Sequence, residues 1–114
     1  MAAHGEVLAL KRRLGFGSGD RVEHFVVLQS DRFTAHLETV VAAPLDAAMD
    51  VYAGDPASVR VTAREAGTRA DQVVLVALLA ALPTARFEPA PVGQLDRPSI
   101  VSVSRVLRLL FELS

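Results

Sequence analysis

Two apolar runs, 25–28 and 39–45, are flanked by residues whose types could do chemistry. Three of these precede the first run and one follows the second: Arg21, Glu23, His24 and Asp46. Histidine can accept or donate a proton near neutral pH because its ordinary pKa is about 6.5. The planar fork of arginine suits phosphate, and a nearby carboxylate can orient an imidazole. If the two runs form adjacent strands, we expect these side chains to share one cleft.

A glycine-rich loop, 15–19, lies just upstream of this set, and Gln29, Ser30 and Asp31 follow the first run. Three glycines in five residues can adopt positive φ and present bare backbone amides. The loop is not a phosphate-binding P-loop, because Gly-Lys-Ser/Thr and a following helix are absent. The loop can be a simple hairpin connection, or its mobility would allow it to act as a gate over a groove. We expect the polar residues after the first run to lie near the same cleft.

Composition limits the classes of protein to which this chain can belong. Its 114 residues are 51% hydrophobic, which predicts one globular domain over residues 1–114. The longest apolar stretch, 73–82, is about half of the roughly 20 residues that a membrane span needs. No signal peptide is visible. There is no cysteine, and the three histidines lack metal-ligand spacing, so we expect a cytoplasmic protein without metal or cofactor.

Charge does not decide whether the chain binds nucleic acid. The formal net charge is −1, so an argument from a generally basic surface fails. Eleven arginines stand against one lysine, and arginine suits phosphates and base edges, although biased codon usage would give the same count. The cluster Lys11, Arg12 and Arg13 is either a solvated strand end or a contact with RNA.

The pattern of apolar residues predicts short strands followed by one helix. Strands are expected over residues 6–10, 25–29, 39–45, 58–62, 72–79 and 86–88, although 72–79 could also form a helix. The strand at 25–29 is expected to be buried on both faces, Pro44 to lie at an edge or a bulge, and residues 63–70 to form a turn. The helix begins near Asp96 as N-cap, with Pro98 in its first turn. Its core face is expected to hold Val103, Val106, Leu107, Leu110 and Phe111, whereas Val101, Leu109 and Leu113 extend apolar surface toward a dimer contact. These elements predict an α+β fold, a small twisted barrel or sheet with a C-terminal helix.

Several short motifs, in this order, resemble the MazF/PemK-like toxins of toxin–antitoxin systems. The matching segments are Gly5-Glu6-Val7-Leu8, Gly17-Ser18, Phe25-Val26-Val27-Leu28-Gln29-Ser30-Asp31, Thr39-Val40-Val41-Ala42-Ala43-Pro44-Leu45, Ala63-Arg64-Glu65-Ala66-Gly67 and Val92-Gly93-Gln94-Leu95. The resemblance implies an SH3-like antiparallel barrel of the MazF/CcdB type. It also implies a homodimer that cleaves single-stranded RNA without a metal, and a cognate antitoxin that occupies the RNA groove.

The chain departs from that family at three usual functional positions. Glu23-His24 stands where the family has Arg-Pro before the second strand, and Asp46 stands where it has a catalytic threonine. The segment that resembles the family's Gln-Ile-Arg strand reads Val-Ala-Leu-Leu over 76–79.

Two interpretations of these departures remain open. In the first, the site is rebuilt around Arg21, His24 and Asp46; RNA contacts then come from Ser18, Glu23, Arg12 and Arg13. In the second, the two carboxylates repel the phosphate backbone, and the fold is kept to bind an antitoxin-like peptide or RNA. A third interpretation is a gyrase-directed toxin, because CcdB-type proteins share the fold.

Overall fold

The computed structural model describes residues 4–11, 23–29, 38–47 and 50–112. Seven strands lie in this part of the chain: β1 (Glu6–Ala9), β2 (His24–Val27), β3 (Thr39–Asp46), β4 (Ser58–Val61), β5 (Gln72–Leu75), β6 (Ala80–Pro83) and β7 (Gly93–Gln94). The helices are α1 (Ala63–Ala66) and α2 (Arg97–Leu110), and two 3-10 turns cover Val76–Leu78 and Thr84–Arg86.

The strands form one antiparallel sheet in the order β4-β5-β3-β2-β1-β7, and β6 pairs with β3 beside β5. Residues 39–42 of β3 pair with β6, whereas Leu45 and Asp46 pair with β5. Pro44 lies in the gap between these two partners, where a residue without an N–H breaks no bond to either of them. β3 thus changes partner at Pro44, and the sheet as a whole is curled into a half-barrel, which confirms the predicted fold class.

β2 lies at the centre of this sheet and is buried on both faces, as its uninterrupted apolar sequence predicted. Val26 belongs to the larger apolar cluster, which also contains Leu45 of β3 and Val103 of α2. Phe25 and Val27 belong to a smaller cluster on the opposite face, where the ring of Phe25 packs edge-on against Phe87 at 5.7 Å between centroids. We call these the helix face and the Phe87 face of the sheet.

The C-terminal helix begins where the sequence predicted, with Asp96 as N-cap and Pro98 in the first turn. Val103 is buried, and Ile100, Val106 and Leu107 pack against the larger cluster. Leu110 and Phe111, however, are exposed. The predicted core face was wrong at this end, because α2 packs on the sheet through residues 100–107 and its last turn extends beyond them.

Two other predicted boundaries differ for local reasons. Residues 63–70, predicted as a turn, begin with α1, because Thr62 and Glu65 form a capping box and Gly67 ends the helix at φ +70°. The strand predicted over 72–79 stops at Leu75 and continues as a 3-10 turn, in which the Val76 N–H donates to the Ala57 carbonyl.

Glu65 joins the two helices through a buried carboxylate. One oxygen accepts hydrogen bonds from the Thr62 N–H and hydroxyl, and the other accepts from the Asp96 N–H at 2.9 Å. Burial by itself would raise the pKa of Glu65, but hydrogen bonds from Thr62, Asp96 and Ser99 together lower it below its ordinary value of 4.5. The carboxylate thus fixes the start of α2 relative to α1.

Replacing Glu65 with glutamine should lower the free energy of unfolding at pH 7 by about 2 kcal/mol, because the amide oxygen can accept from only one of the two backbone N–H groups and the amide nitrogen cannot accept from the other. The pKa of Glu65 in the folded protein lies below 4.5, its ordinary value. The stabilisation by its carboxylate is therefore complete above pH 4.5 and is lost as the pH falls through the folded pKa. Urea unfolding at several pH values should show that the difference in free energy of unfolding between Glu65→Gln and wild type becomes smaller at acidic pH. The exposed Glu88→Gln serves as control, and an equal loss in that variant would contradict the assignment.

Candidate functional site

The start of β2 and the end of β3 meet at one edge of the sheet. Phe25 pairs with Pro44, and this register, continued by two residues, brings Glu23 opposite Asp46. The pairing of β1 and β2 extends as far as Glu23, because the Leu10 N–H donates to the Glu23 carbonyl at 2.9 Å. The antiparallel arrangement therefore brings Glu23, His24 and Asp46 to one edge of the sheet.

Residues along a strand alternate between the two faces of the sheet, and this alternation divides the three side chains. Glu23 follows the parity of Phe25 and Val27, so it shares the Phe87 face with Asp46. His24 follows the parity of Val26 and lies on the helix face, where its cross-strand partner on β1 is Ala9. The two carboxylates are thus direct neighbours, whereas the imidazole approaches the same edge from the other side.

Asp46 is buried, with 4% of its surface exposed. It pairs with Val73 of β5, which in turn pairs with Arg60 of β4. Directly opposite residues share a face, so Arg60 lies on the Phe87 face about 10 Å from Asp46, a distance of two strand spacings. The exposed Arg60 forms an ion pair with Asp71 at 3.7 Å. No motif in the sequence pointed to this cation as part of the site; the signal for it was the single charge between Val59 and Val61.

His24 is half-buried at the start of β2. Burial lowers its pKa below the ordinary value of 6.5, and the negative charge of Glu23 opposes that shift only in part. The imidazole is therefore mainly neutral at pH 7 and can accept a proton.

The antiparallel pairing separates the other expected members of the cleft. Gln29 follows the opposite end of β2, near the start of β3 at Thr39, so it lies away from Asp46. The expectation that both ends of the first apolar run share the cleft was wrong, because antiparallel strands bring the start of one beside the end of the other. Several further predicted residues lie outside the described ranges: Arg12, Arg13, Ser18, Arg21, Ser30, Asp31 and the 15–19 loop.

A cavity of about 300 Å³ opens on the Phe87 face, across β1 from Glu23. Its apolar walls include Leu8 and Phe87, and its polar lining includes Lys11 together with Glu6 and Glu88. The backbone of Lys11 is held there, because its N–H donates to the Arg86 carbonyl at 2.9 Å. This face therefore combines an apolar recess and the Lys11 cation with carboxylates of the cavity and of the sheet edge.

Within the described ranges, no three histidine or carboxylate side chains are grouped so that they could hold a metal ion. No helix in the same ranges is long and apolar enough to cross a membrane.

Known structures share this architecture over nearly the whole chain. An endoribonuclease in complex with its cognate antitoxin, from a mycobacterial species, superposes with a TM-score of 0.78 at 15% identity, covering 100% of this chain and 98% of that one. The Mycobacterium tuberculosis toxin MazF-mt6 gives a TM-score of 0.76 at 17% identity, covering 96% and 98%. A MazE-MazF complex from Deinococcus radiodurans gives 0.74 at 20% identity, covering 99% and 98%. At these identities the likeness establishes the fold.

A comparison with curated protein sequences found no match. The family model for the PemK-like, MazF-like toxins of type II toxin–antitoxin systems, by contrast, matches residues 11–111. That match includes both strands that meet at the site, together with α2. The chain therefore belongs to the PemK-like, MazF-like toxin family.

Proposed function

We propose that this protein is a metal-independent endoribonuclease toxin that cleaves single-stranded RNA, acts as a homodimer and is neutralised by a cognate antitoxin. The observation that carries the proposal is the meeting of His24, Glu23 and Asp46 at one sheet edge in a MazF-type fold. Similar structures include an endoribonuclease and complexes of MazF with MazE, which supports both the activity and the partner.

The proposed reaction is attack by a ribose 2′-hydroxyl on the neighbouring phosphate. The neutral imidazole of His24 accepts the 2′ proton as the oxygen bonds to phosphorus. The bond to the 5′ oxygen breaks, and that oxygen takes a proton from solvent water, leaving a 2′,3′-cyclic phosphate and a 5′-hydroxyl. Asp46 or Glu23 orients the imidazole of His24 across the sheet edge, where the charge of Glu23 acts on it, and Arg21 holds the phosphate charge. Ser18, Arg12 and Arg13 are proposed to contact the RNA.

A second candidate function is supported by the side-by-side placement of Glu23 and Asp46. Attraction to phosphate supplies much of the affinity of proteins for nucleic acid, and two adjacent carboxylates oppose it. On this ground the chain would be a non-catalytic module that binds an antitoxin-like peptide.

Incubating the purified full-length chain with mixed single-stranded RNA in EDTA, and then sequencing the RNA ends, separates the two candidates. The nuclease should produce recurrent internal cuts with 5′-hydroxyl ends. An RNA pool that stays intact at every protein concentration would refute the nuclease and leave the binding module. Cleavage only after Mg²⁺ is added would refute the metal-independent mechanism.

The pH dependence of cleavage should report the titration of His24. Because the pKa of this imidazole is lowered, the base form persists below pH 6.5, and kcat/KM should fall only at more acidic pH. The acidic limb of the profile should disappear from the residual activity of His24→Gln. A midpoint above 6.5, or an unchanged limb in that variant, would contradict the assignment of His24 as base.

A further inference from the structure

The chain between Phe87 and Gly93 forms an arch beside β1. Leu10 pairs with Phe87 and Val7 pairs with Gly93, so a step of three residues along β1 is matched by a step of six along the other segment. The extra residues cannot all pair with β1, and the chain bends away from it as a bulge does. We call residues 88–92 the arch.

Both ends of the arch are held by the backbone of β1. Its first N–H donates to the Ala9 carbonyl at 2.8 Å, and its last N–H donates to the Val7 carbonyl at 2.9 Å. Between these two bonds lie Pro89 and Pro91, which have no N–H and whose rings fix φ. This part of the arch therefore cannot close onto β1 as a paired strand.

The cavity of about 300 Å³ lies where the arch passes β1, and we call it the arch pocket. Pro89 and Pro91 line it from the arch, together with Leu8 of β1 and the ring of Phe87. This volume is at the lower end of the range for small-molecule sites, roughly 300–1,000 Å³. Apolar walls of this kind suit one flat ring, such as a nucleobase.

The charged residues of the arch pocket suit a neutral ring better than a phosphate. Glu6 and Glu88 line it with one cation, Lys11, so the balance of charge is negative and repels phosphate. Within the described part of the chain, no ion pair joins Lys11 to Glu88. An ammonium donor and a carboxylate acceptor are thus both present for a ring that carries acceptors and donors.

Of the four RNA bases, guanine matches this combination best. One edge of guanine presents two adjacent donors, N1–H and the N2 amine, which fit the two oxygens of one carboxylate. The neighbouring O6 accepts from an ammonium group. Adenine and cytosine present one amine beside an acceptor, and uracil presents one donor between two acceptors. Each of them would leave one oxygen of the carboxylate without a donor.

The arch pocket is also close to the proposed site of cleavage. The Leu10 N–H donates to the Glu23 carbonyl, so only β1 separates the pocket from the sheet edge with Glu23 and His24. Neighbouring strands lie about 5 Å apart. A nucleotide beside the cleaved bond can therefore place its base in the pocket.

We propose that the arch pocket binds a guanine of the RNA, next to the cleaved bond, and so determines which sequence the protein cuts. The Glu88 carboxylate accepts from N1–H and the N2 amine, and Lys11 donates to O6. The ring lies against Leu8 and the two prolines of the arch. The proposal rests on the proposed cleavage of single-stranded RNA and adds the base that the RNA must carry.

Sequencing the ends of a random single-stranded RNA pool cut by the intact chain tests the base. Guanine should occupy one fixed position relative to the cut. Replacing that guanosine with inosine, which lacks only the N2 amine, should lower kcat/KM about tenfold. In Glu88→Gln the same replacement should change kcat/KM by no more than about twofold, because an amide nitrogen cannot accept from the N2 amine.

The matched control is Glu112→Gln, which neutralises an exposed carboxylate after α2 and should keep the full difference between guanosine and inosine. Urea unfolding of Glu88→Gln should match wild type, which separates recognition from folding. Three results would overturn the arch pocket: no fixed base, a fixed base other than guanine, or an inosine effect that persists in Glu88→Gln.

A binding measurement distinguishes failure of this proposal from failure of the nuclease. The probe is a labelled 2′-O-methyl oligouridylate with one central guanosine or inosine; it lacks the attacking hydroxyl, and fluorescence anisotropy gives its dissociation constant. Tighter binding of the guanosine probe, without cleavage of any RNA, would refute the nuclease alone. Cleavage with no dependence on guanine would refute the arch pocket alone. Neither cleavage nor binding would refute both.

Discussion

Replacing His24 with alanine should reduce RNA cleavage by about 10²–10³-fold, the usual loss when a general base is removed. The fold should survive, because His24 is only half-buried at the first position of β2 and faces Ala9 across the strand pair. Cleavage rates on a single-stranded RNA substrate in EDTA, together with urea unfolding of the same samples, measure both effects. The matched control is His4→Ala, a substitution at a histidine outside the strands.

Cleavage by His24→Ala at the wild-type rate would remove His24 from the mechanism. The carboxylate variants Glu23→Gln and Asp46→Asn then separate the remaining possibilities. In the nuclease, Asp46→Asn should slow cleavage, because the buried carboxylate no longer orients the reacting groups. In a binding module without catalysis, neutralising either carboxylate should instead tighten RNA binding, because it removes repulsion of phosphate.

Alanine at position 93 should destabilise the fold by about 3 kcal/mol or more, because the added methyl group meets backbone and not a movable side chain. A Cβ at Gly93 would lie 2.5 Å from the Ala66 carbonyl carbon and oxygen and from the Glu65 carbonyl oxygen. α1 and β7 therefore approach so closely that only a hydrogen fits between them. Urea unfolding of Gly93→Ala should show a lowered midpoint or no folded baseline.

Two other glycines complete this experiment, Gly54 as the control and Gly67 as a second position of close backbone approach. Gly54 and Gly67 both have positive φ, +82° and +70°. Backbone strain in alanine should therefore lower the stability by a similar amount at each position, about 1 kcal/mol. A Cβ at Gly67 would lie 2.0 Å from the Val92 carbonyl oxygen, whereas a Cβ at Gly54 meets nothing within 4 Å. Gly67→Ala should therefore be the more destabilising of the two. Equal losses at positions 54, 67 and 93 would contradict the close approach of α1 and β7.

Local patterns in the sequence predicted β1 to β5 and α2, but not α1, β6 or β7. The unbroken apolar run before Gln29 predicted a central strand, and Asp96 with Pro98 predicted the start of α2, because both signals depend on neighbouring residues. The extent of the buried face of α2 could not be predicted in this way. Leu110 and Phe111 continue the helical spacing, but the sheet lies beneath residues 100–107, so tertiary packing decides where burial ends.

The same distinction applies to the candidate site. Residue types and their order along the chain determined that Glu23, His24 and Asp46 flank two strands, and the resemblance identified those flanks as the place for chemistry. Only the register of β2 and β3 decided that Glu23 faces Asp46. The face of the sheet on which each side chain lies follows from that pairing and from strand alternation. Together they place His24 on the face opposite to Glu23 and Asp46. The register between β2 and β3 depends on tertiary packing, which no local pattern in the sequence encodes.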